Sequence, residues 1–469
     1  VIANNECHSL LRKDLTHFVF DGEAELKLRF FLGQWFGFEG HARTPGIYFK
    51  YENQILETKE DRDVVDFKWD VIATYDDIPV EGYNEVGCLS PFSRMIGRES
   101  KYGTVQLVRG CRAHCTFCGV TPFMGVKVRH YSIDTVLSEI EFLVKERGVS
   151  HIEWLDDDLL VDREVAVQLF RKMIDLKFGV TWAANNGLIA SSLDEELVRL
   201  MVESGCVGFR IGIESGNDQI LRRIKKPAST TTLRKASKTL AKFPELFVVG
   251  CYIIGFQGER YEQILDTFKF SLEMNLSWSG FAVCQELQDS NVEGEFESDL
   301  ENENPEGRKK ITDFVPSKES TERAINPGKE QYDSIFDLPG DAIPSPEQLN
   351  EMWFAFNLFV NYIYNKNLRR EGAPGKFIRW VQVIQLGYPC NAVISMFLYL
   401  AYLLDGQTAN ASDQLERTRN NLKESEYWVK RFKQYGLDRV MESSPEDSLG
   451  AQKILQEFRD RCDSMMECV

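Results

Sequence analysis

The sequence predicts an α/β protein built on a parallel sheet. Between residues 103 and 285, six short apolar segments alternate with amphipathic helical segments, the pattern of consecutive strand–helix units. Hydrophobic residues make up 43% of the chain, which is enough for sizeable cores. Three cysteines fall in the loop after the first predicted strand, at the edge where parallel sheets carry their functional sites.

The six predicted strands are short and rich in β-branched or aromatic residues. In chain order they are TVQLV (104–108), HIEWL (151–155), VTWAA (180–184), VGFRIGI (207–213), LFVVGCYIIG (246–255) and SWSGFAVC (277–284). Ser132 is predicted to cap the helix after the first strand. A capping box from Ser192 to Glu195 is predicted to open the helix after the third. The order indicates either a doubly wound sheet or a partial barrel.

The flanking regions have other patterns. Residues 18–20 are predicted to form a short strand followed by a turn and a helix, and the chain alternates around Glu52 and Asn53 like a hairpin. Residues 286–345 are acidic and poor in large apolar side chains, which is typical of a linker or insertion. Ser345, Pro346 and Gln348 form a helix start that opens a helical C-terminal region.

Composition restricts the classes of partner and compartment. A net charge of −17 argues against nucleic acid as a partner. The longest apolar run, 392–404, is too short to span a bilayer and is predicted to be a buried helix, so no membrane is expected. Eleven cysteines, an odd number, favour free thiols in a reducing, cytoplasmic setting. A start without methionine suggests a fragment or a processed chain.

The cysteine loop is the strongest chemical signal in the chain. Cys111, Cys115 and Cys118 have the spacing C-x3-C-x2-C within eight residues. Thiolates this close in sequence favour an iron–sulfur cluster, and three of them leave one iron of a four-iron cluster open to a further ligand. Two alternatives stay open. One is a structural zinc site, although no second Cys or His pair is visible to complete it, and the other is three incidental thiols.

The sequence around this loop resembles radical S-adenosylmethionine (radical SAM) enzymes, and within them the proteins that carry an N-terminal cobalamin-binding domain. The matching stretches are VRGCRAHCTFCG, KVRHYSIDTVLSEIEFLV, IEWLDDDLL, GCVGFRIGIESGNDQILRRIKK and IIGFQGERYEQILDTFKF. The resemblance covers about residues 100 to 285. It implies a partial (βα)6 radical SAM barrel in which Cys111, Cys115 and Cys118 hold a [4Fe–4S] cluster whose open iron binds S-adenosylmethionine (SAM).

The resemblance also implies a set of SAM contacts. Asp157 or Asp158 would accept the SAM ammonium, although the same aspartate run is equally typical of a helix cap. Arg210 would either bind a carboxylate or neutralise Glu214. The motif IIGFQGE would flank the adenine, with Gln257 standing where the family often has proline. The implied cofactor-binding residues are Phe117, Asp157, Asp158, Arg210, Glu214, Ser215, Ile253, Gly255 and Gly258.

A division of the chain into five regions follows from the resemblance. Residues 1–35 are expected to be a remnant of a Rossmann-like cobalamin-binding domain, 36–100 a connector with a hairpin and 101–285 the radical SAM barrel. Residues 286–345 would be the acidic linker or insertion, and 346–469 a helical C-terminal domain. Because the upstream strands of a cobalamin domain are absent, this chain is expected to bind cobalamin poorly, whereas the intact protein would bind it.

The implied reaction begins with reductive cleavage of SAM to a 5′-deoxyadenosyl radical, with electrons from a flavodoxin or ferredoxin. In the intact protein, cobalamin would then support methylation of an unactivated centre in a small-molecule or peptide substrate. One alternative is a cobalamin-independent radical modification, such as rearrangement, cyclisation or methylthiolation. Another is a non-catalytic iron–sulfur module. The sequence assigns no catalytic residue beyond the cofactor contacts.

Overall fold

A computed structural model describes residues 7–36, 46–51, 54–58, 72–86, 90–97, 99–125, 127–285 and 338–466. Its N-terminal elements are α1 (Cys7–Arg12), β1 (Phe18–Phe20), α2 (Glu25–Trp35), β2 (Ile47–Tyr51), β3 (Gln54–Glu57), α3 (Val80–Val86) and α4 (Pro91–Ile96). β2 pairs antiparallel with β3 across the predicted hairpin, and β1 pairs antiparallel with β2. The predicted strand at 18–20 and the pairing of the hairpin are therefore confirmed, while the hairpin turn itself lies outside the described residues.

The main body alternates strands with helices. Its strands are β4 (Tyr102–Val105), β5 (Val108–Arg109), β6 (Arg129–His130), β7 (His151–Trp154), β8 (Thr181–Leu188), β9 (Cys206–Glu214), β10 (Phe247–Ile254) and β11 (Trp278–Val283). Its helices are α5 (Val120–Met124), α6 (Ile133–Arg147), α7 (Arg163–Leu176), α8 (Glu195–Glu203), α9 (Asp218–Arg223), α10 (Thr230–Leu240) and α11 (Tyr261–Met274). Six strands form one sheet in the order β4-β7-β8-β9-β10-β11, and every neighbouring pair is parallel. The α/β prediction is confirmed.

Three predicted boundaries were wrong. The first predicted strand is divided: β4 ends at Val105, and β5 leaves the sheet to pair antiparallel with β6. The third strand continues to Leu188. The helix predicted to open with a capping box at Ser192 is instead capped by Asp194, whose side chain accepts from the backbone N–H of Leu197, because Ser192 belongs to a preceding 3-10 turn.

A helical region follows at the C-terminus, as predicted. Its helices are α12 (Pro346–Leu358), α13 (Pro374–Gly387), α14 (Ala392–Leu404), α15 (Thr408–Glu424), α16 (Glu426–Tyr435), α17 (Arg439–Ser443) and α18 (Ser448–Met466). The capping box of Ser345 and Gln348 is confirmed, as is the cap that Ser132 supplies to α6. α14 is buried on nearly all sides. Among the described helices, each is too short or too polar to cross a membrane.

The division of the chain into five regions stays a prediction. Most of the predicted linker, residues 286–337, lies outside the described residues. The remaining residues of that region, 338–345, lead directly into α12.

Aromatic side chains close the amino end of the inner face of the main sheet. Phe92 of α4 lies 5.2 Å from Trp380 of α13 between ring centroids, and Trp380 stacks on Phe247 of β10 at 4.5 Å. A side chain at Gly208 of β9 would lie 2.7 Å from the Phe92 ring, so glycine permits this packing. Two helices therefore form a floor under the inner face, and the carboxyl ends of the strands stay accessible to loops.

Asparagine side chains from the C-terminal region form hydrogen bonds with the backbone at the outer edge of β11. Asn361, in a π-helical turn (Phe359–Ile363) after α12, accepts from the N–H of Ser279 and donates to its C=O, both at 2.6 Å. Asn365 donates to the C=O of Ser277 at 3.1 Å. An unpaired strand edge buried under a helix would leave backbone groups without partners. These amides therefore fix the C-terminal helices to the sheet.

We predict that Asn361→Ala lowers the free energy of unfolding by about 2–4 kcal/mol, because Asn361 is fully buried and its loss leaves one N–H and one C=O unpaired. Chemical denaturation followed by circular dichroism measures the change. Asn420→Ala is the control, since Asn420 is exposed on α15 and its truncation should cost less than about 0.5 kcal/mol. Equal midpoints for the two variants would contradict this role.

Candidate active site

The cysteine loop lies between β5 and α5, at the carboxyl edge of the sheet. Its three thiols are half-buried. Burial raises the pKa of Cys111 to about 11 and that of Cys115 to about 12, and it raises the pKa of Cys118 as well. The thiols are near enough for their charges to interact. Free thiols in this loop are therefore protonated, and a metal that binds them must displace those protons.

Two aspartates after β7 hold the chain that enters the loop. Asp156 accepts from the backbone N–H groups of Leu107, at 3.1 Å, and Val108, at 2.6 Å. Asp157 accepts from the N–H of Gly110 at 3.0 Å, directly before the first cysteine. Burial raises the pKa of Asp156 to about 8. The hydrogen bonds to Asp156 turn the chain away from β4, which is why the first predicted strand is divided.

Asp158 binds the loop through a side chain. Its carboxylate pairs with the guanidinium of Arg112 at 2.8 Å and is fully buried. The cap of α7 is Asp162, which accepts from the N–H groups of Glu164 and Val165. The alternative interpretation of the aspartate run as a helix cap was therefore wrong. All three carboxylates contact the cysteine loop or the strand that precedes it.

The other side of the loop rests on the chain that follows α9. The N–H of Thr116 donates to the C=O of Ile224 at 3.1 Å, and the thiol of Cys115 lies 3.9 Å from the C=O of Lys225. The ring of Phe117 lies 5.8 Å from the ring of Phe256, in the turn after β10. The loop is therefore in contact with the chain after β7, the chain after α9 and the turn after β10.

A buried ion pair lies beside the loop at the end of β9. The Nζ of Lys226 donates to Oε1 of Glu214 at 2.9 Å, and a side chain at Gly212 would lie 2.6 Å from each of these atoms. Burial lowers the pKa of Lys226, but the charge and the hydrogen bond of Glu214 act in the opposite direction, and the net shift is upward. Glu214 has φ = +65°, a strained conformation for a non-glycine residue and one that is typical of functional sites.

The turn after β10 is shaped by Glu259. One oxygen of this buried carboxylate accepts from the N–H groups of Gly255, at 2.7 Å, and Phe256, at 3.0 Å. Burial raises the pKa of Glu259 to about 7. Gly255 and Gly258 have φ values of +79° and +66°, which glycine adopts without strain. The predicted adenine motif therefore forms a tight turn that the carboxylate of Glu259, within the same motif, stabilises.

The remaining predicted residues lie at different depths. The hydroxyl of Ser215 is fully buried and hydrogen-bonds the hydroxyl of Thr267 on α11 at 3.0 Å, so it faces the helix layer. Ile253 is half-buried on the inner face of β10. Arg210 lies on the inner face of β9 and donates from Nε to Asn185 at 2.9 Å. The cofactor contacts inferred for the nine residues stay predictions.

The donor set fits a cluster better than a single metal ion. Within the described residues, no three His, Cys, Asp or Glu side chains form a group suited to one metal ion. A [4Fe–4S] cluster takes each thiolate on a different iron, so its ligands surround the cluster and do not converge on one point. A tetrahedral zinc ion needs four ligands at a single centre. The three half-buried thiols are therefore compatible with the cluster, and their assignment as its ligands stays a prediction.

The region that contains this fold and this loop matches one protein family. Residues 105–271 match the Radical SAM superfamily, so this part of the chain is a radical SAM domain. The family uses a [4Fe–4S] cluster and SAM, and the match includes the cysteine loop and β7 to β10.

Curated relatives of this domain include methyltransferases, methylthiotransferases and anaerobic magnesium-protoporphyrin IX monomethyl ester cyclases. An uncharacterized methyltransferase of Pyrococcus horikoshii is 29% identical over 46% of this chain and 45% of its own length. Cytidylyl-2-hydroxyethylphosphonate methyltransferase of Streptomyces wedmorensis is 33% identical over 41% of this chain and 37% of its length. Ribosomal protein uS12 methylthiotransferase of a Thermotoga species is 28% identical over 39% of this chain and 44% of its length. The chain matches less than half the length of these relatives.

Two solved structures share the fold. The cobalamin-dependent SAM radical enzyme OxsB aligns with all of this chain and 66% of its own, with a TM-score of 0.53 and 12% identity. The radical SAM methyltransferase TsrM from Kitasatospora setae aligns with 62% of this chain and 55% of its own, with a TM-score of 0.50 and 14% identity. At these identities the likeness shows the fold alone.

Sequence reasoning missed Lys226 and Glu259 as parts of the site. Both stand inside stretches that carry the family resemblance, Lys226 at the end of GCVGFRIGIESGNDQILRRIKK and Glu259 in IIGFQGERYEQILDTFKF. Lys226 was detectable as a possible counter-charge for Glu214, since a carboxylate between apolar strand residues and a glycine turn requires a partner. No local signal indicated that Glu259 folds back on its own turn.

We predict that Asp156→Ala lowers the free energy of unfolding by about 2–4 kcal/mol, because the N–H groups of Leu107 and Val108 lose their acceptor in a buried site. Hydrogen exchange read by mass spectrometry should show faster exchange in the peptide that contains these two amides. Asp156→Asn, which keeps one acceptor oxygen, should recover part of the loss. Asp175→Ala on the exposed end of α7 is the control, and equal effects of Asp156→Ala and this control would contradict the role.

Proposed function

We propose that this chain is the catalytic part of a radical SAM enzyme that cleaves SAM reductively, and that the intact protein methylates an unactivated carbon with the help of cobalamin. The observation that carries the proposal is the anchored cysteine loop at the carboxyl edge of a six-stranded parallel sheet, inside the stretch that matches the superfamily. A reduced [4Fe–4S] cluster supplies the electron that breaks the sulfonium bond of SAM to give methionine and the 5′-deoxyadenosyl radical. Cys111, Cys115 and Cys118 are the proposed ligands.

The chain's own residues are proposed to orient the cofactor. Asp157 lies next to the loop and offers a carboxylate for the SAM ammonium, whereas Asp158 is already paired with Arg112. Glu214, held by Lys226, is the proposed contact for the ribose or the methionine part. The turn of Ile253, Gly255 and Gly258 is the proposed adenine site, with Phe117 packed against it. Ser215 contributes to this arrangement by holding the turn after Glu214.

Cobalamin is proposed from the neighbours and from the N-terminal contacts. OxsB is described as cobalamin-dependent, and TsrM was solved with cobalamin bound. Within this chain, Glu23 of the proposed domain remnant accepts from Arg129 at 2.6 Å and from Arg109 at 3.2 Å. These two arginines lie on β6 and β5, beside the cysteine loop. A domain preceding residue 23 would therefore enter next to the proposed cluster site.

The proposed substrate is a small molecule or a peptide. A flavodoxin or ferredoxin is the proposed electron donor, and the cytoplasm, where thiols stay reduced, is the proposed compartment. The alternative is a cobalamin-independent reaction such as methylthiolation, which the methylthiotransferase relative favours. SAM products distinguish the two.

We predict that anaerobically reconstituted protein binds about four irons per chain and, once reduced, converts SAM to 5′-deoxyadenosine. Cys115→Ala should lose the visible absorption of the cluster and all SAM cleavage, because one of the three cysteine ligands is gone. Cys390→Ala is the matched control, since Cys390 is exposed and remote in sequence from the loop. Iron analysis and mass spectrometry of the SAM products make the measurement.

Methylcobalamin is then added to the same assay. S-adenosylhomocysteine that appears only with cobalamin supports methyl transfer. 5′-Deoxyadenosine alone in both conditions supports the radical SAM assignment by itself, because this chain is expected to bind cobalamin poorly. A full iron load without any SAM cleavage would contradict the enzyme assignment for this chain. Equal losses in the two cysteine variants would contradict the assignment of the ligands.

A further inference from the structure

The inner face of the sheet has an open space above its aromatic floor. Strand register places Arg210, Val249 and Trp278 at one level on β9, β10 and β11. One level nearer the loops, Cys251 lies between Gly212 and Gly280. A side chain at Gly280 would meet only a backbone oxygen, at 3.9 Å. At Gly212 the Glu214–Lys226 pair fills the space, so the open space at this level lies on the side of Gly280.

Arg210 extends into this space without an acidic partner. Its Nε donates to Oδ1 of Asn185 at 2.9 Å, and its guanidinium lies beside the thiol of Cys251. In the part of the chain that the structure describes, no carboxylate lies within ion-pair distance of Arg210. The nearest candidate along the strand, Glu214, is paired with Lys226 at 2.9 Å. A half-buried charge without a counter-ion is costly, so this guanidinium is suited to an anion supplied from outside the chain.

The depth of Arg210 separates it from the proposed SAM position. The backbone of Glu214 lies four residues farther along β9, but its carboxylate folds back beside Gly212, one level above Arg210. Asn185 is at the level of Arg210, because Ala184 pairs with Phe209, so the hydrogen bond holds the guanidinium at that level, below the Glu214–Lys226 pair. The carboxylate of SAM would lie at the opening, next to the cysteine loop. Arg210, which the sequence assigned to the cofactor, lies one level deeper than the Glu214–Lys226 pair, and its guanidinium is available to an acidic group other than the carboxylate of SAM.

We propose that Arg210 and Asn185 form an anion subsite that binds a carboxylate or phosphate group of the molecule to be modified. This inference rests on the proposed function, because it places a substrate below SAM in the same barrel. The planar guanidinium donates two parallel hydrogen bonds to such a group, and the amide of Asn185 orients it. The substrate class is thus an acidic small molecule or a peptide with an acidic side chain or terminus.

The test uses the arginine reagent phenylglyoxal, with labelling of each arginine read by peptide mass spectrometry. Inorganic phosphate is the probe, compared with chloride at equal ionic strength. Phosphate should lower the labelling of Arg210 by about tenfold, because the guanidinium is then engaged by a charged acceptor. Arg222, exposed on α9, is the matched control and should be labelled equally with either salt. In Asn185→Leu, about tenfold more phosphate should be needed for the same protection.

A second arm adds SAM to cluster-loaded protein. SAM should leave the labelling of Arg210 unchanged, and equal protection by SAM would assign the subsite to the cofactor's carboxylate and overturn the proposal. The proposal would also be overturned if Arg210 were never labelled, since a substrate must be able to reach the site. It would be overturned as well if phosphate gave Arg210 no protection, since the site would then bind no anion. Labelling of Arg210 does not require SAM cleavage. The labelling assay therefore tests the anion subsite, and the SAM-cleavage assay tests the proposed reaction, so the two can fail separately.

Discussion

The cysteine loop is held in place by hydrogen bonds from the connections on either side of it, and the rest of the site depends on that anchoring. Asp156 and Asp157 bind the backbone that enters the loop, and the chain after α9 binds the backbone of Thr116. A loop without these hydrogen bonds would lose conformational entropy when it bound a metal. Here the protein core has already fixed the loop, so the thiols are positioned before any metal arrives.

The same anchoring explains how neighbouring strands share one site. The loop lies beside the Glu214–Lys226 pair at the end of β9 and contacts the Phe256 turn at the end of β10. In a parallel sheet these strand ends lie along one edge, so residues far apart in sequence meet there. The asparagines that bind β11 complete the arrangement, because they hold the C-terminal helices against the sheet and so support the aromatic floor.

Much of this arrangement could be predicted from the sequence, because the signals are local. Strand composition, the order of strands and helices, and three cysteines in one loop are all visible within short windows. The end of β4 at Val105 was not predictable in this way, since its cause is the carboxylate of Asp156 some fifty positions later. The roles of Lys226 and Asn185 likewise depend on partners on other elements, and the hydrophobic periodicity of the sequence does not predict such contacts.

The central claim is that the anchored loop carries an open-site [4Fe–4S] cluster that binds SAM. Electron paramagnetic resonance of the reconstituted, reduced protein, with and without SAM, tests it most directly. The account predicts the spectrum of a one-electron-reduced [4Fe–4S] cluster whose shape changes when SAM is added, because SAM occupies the open iron. A spectrum that SAM leaves unchanged, or a loop that takes up zinc and no iron, would contradict it.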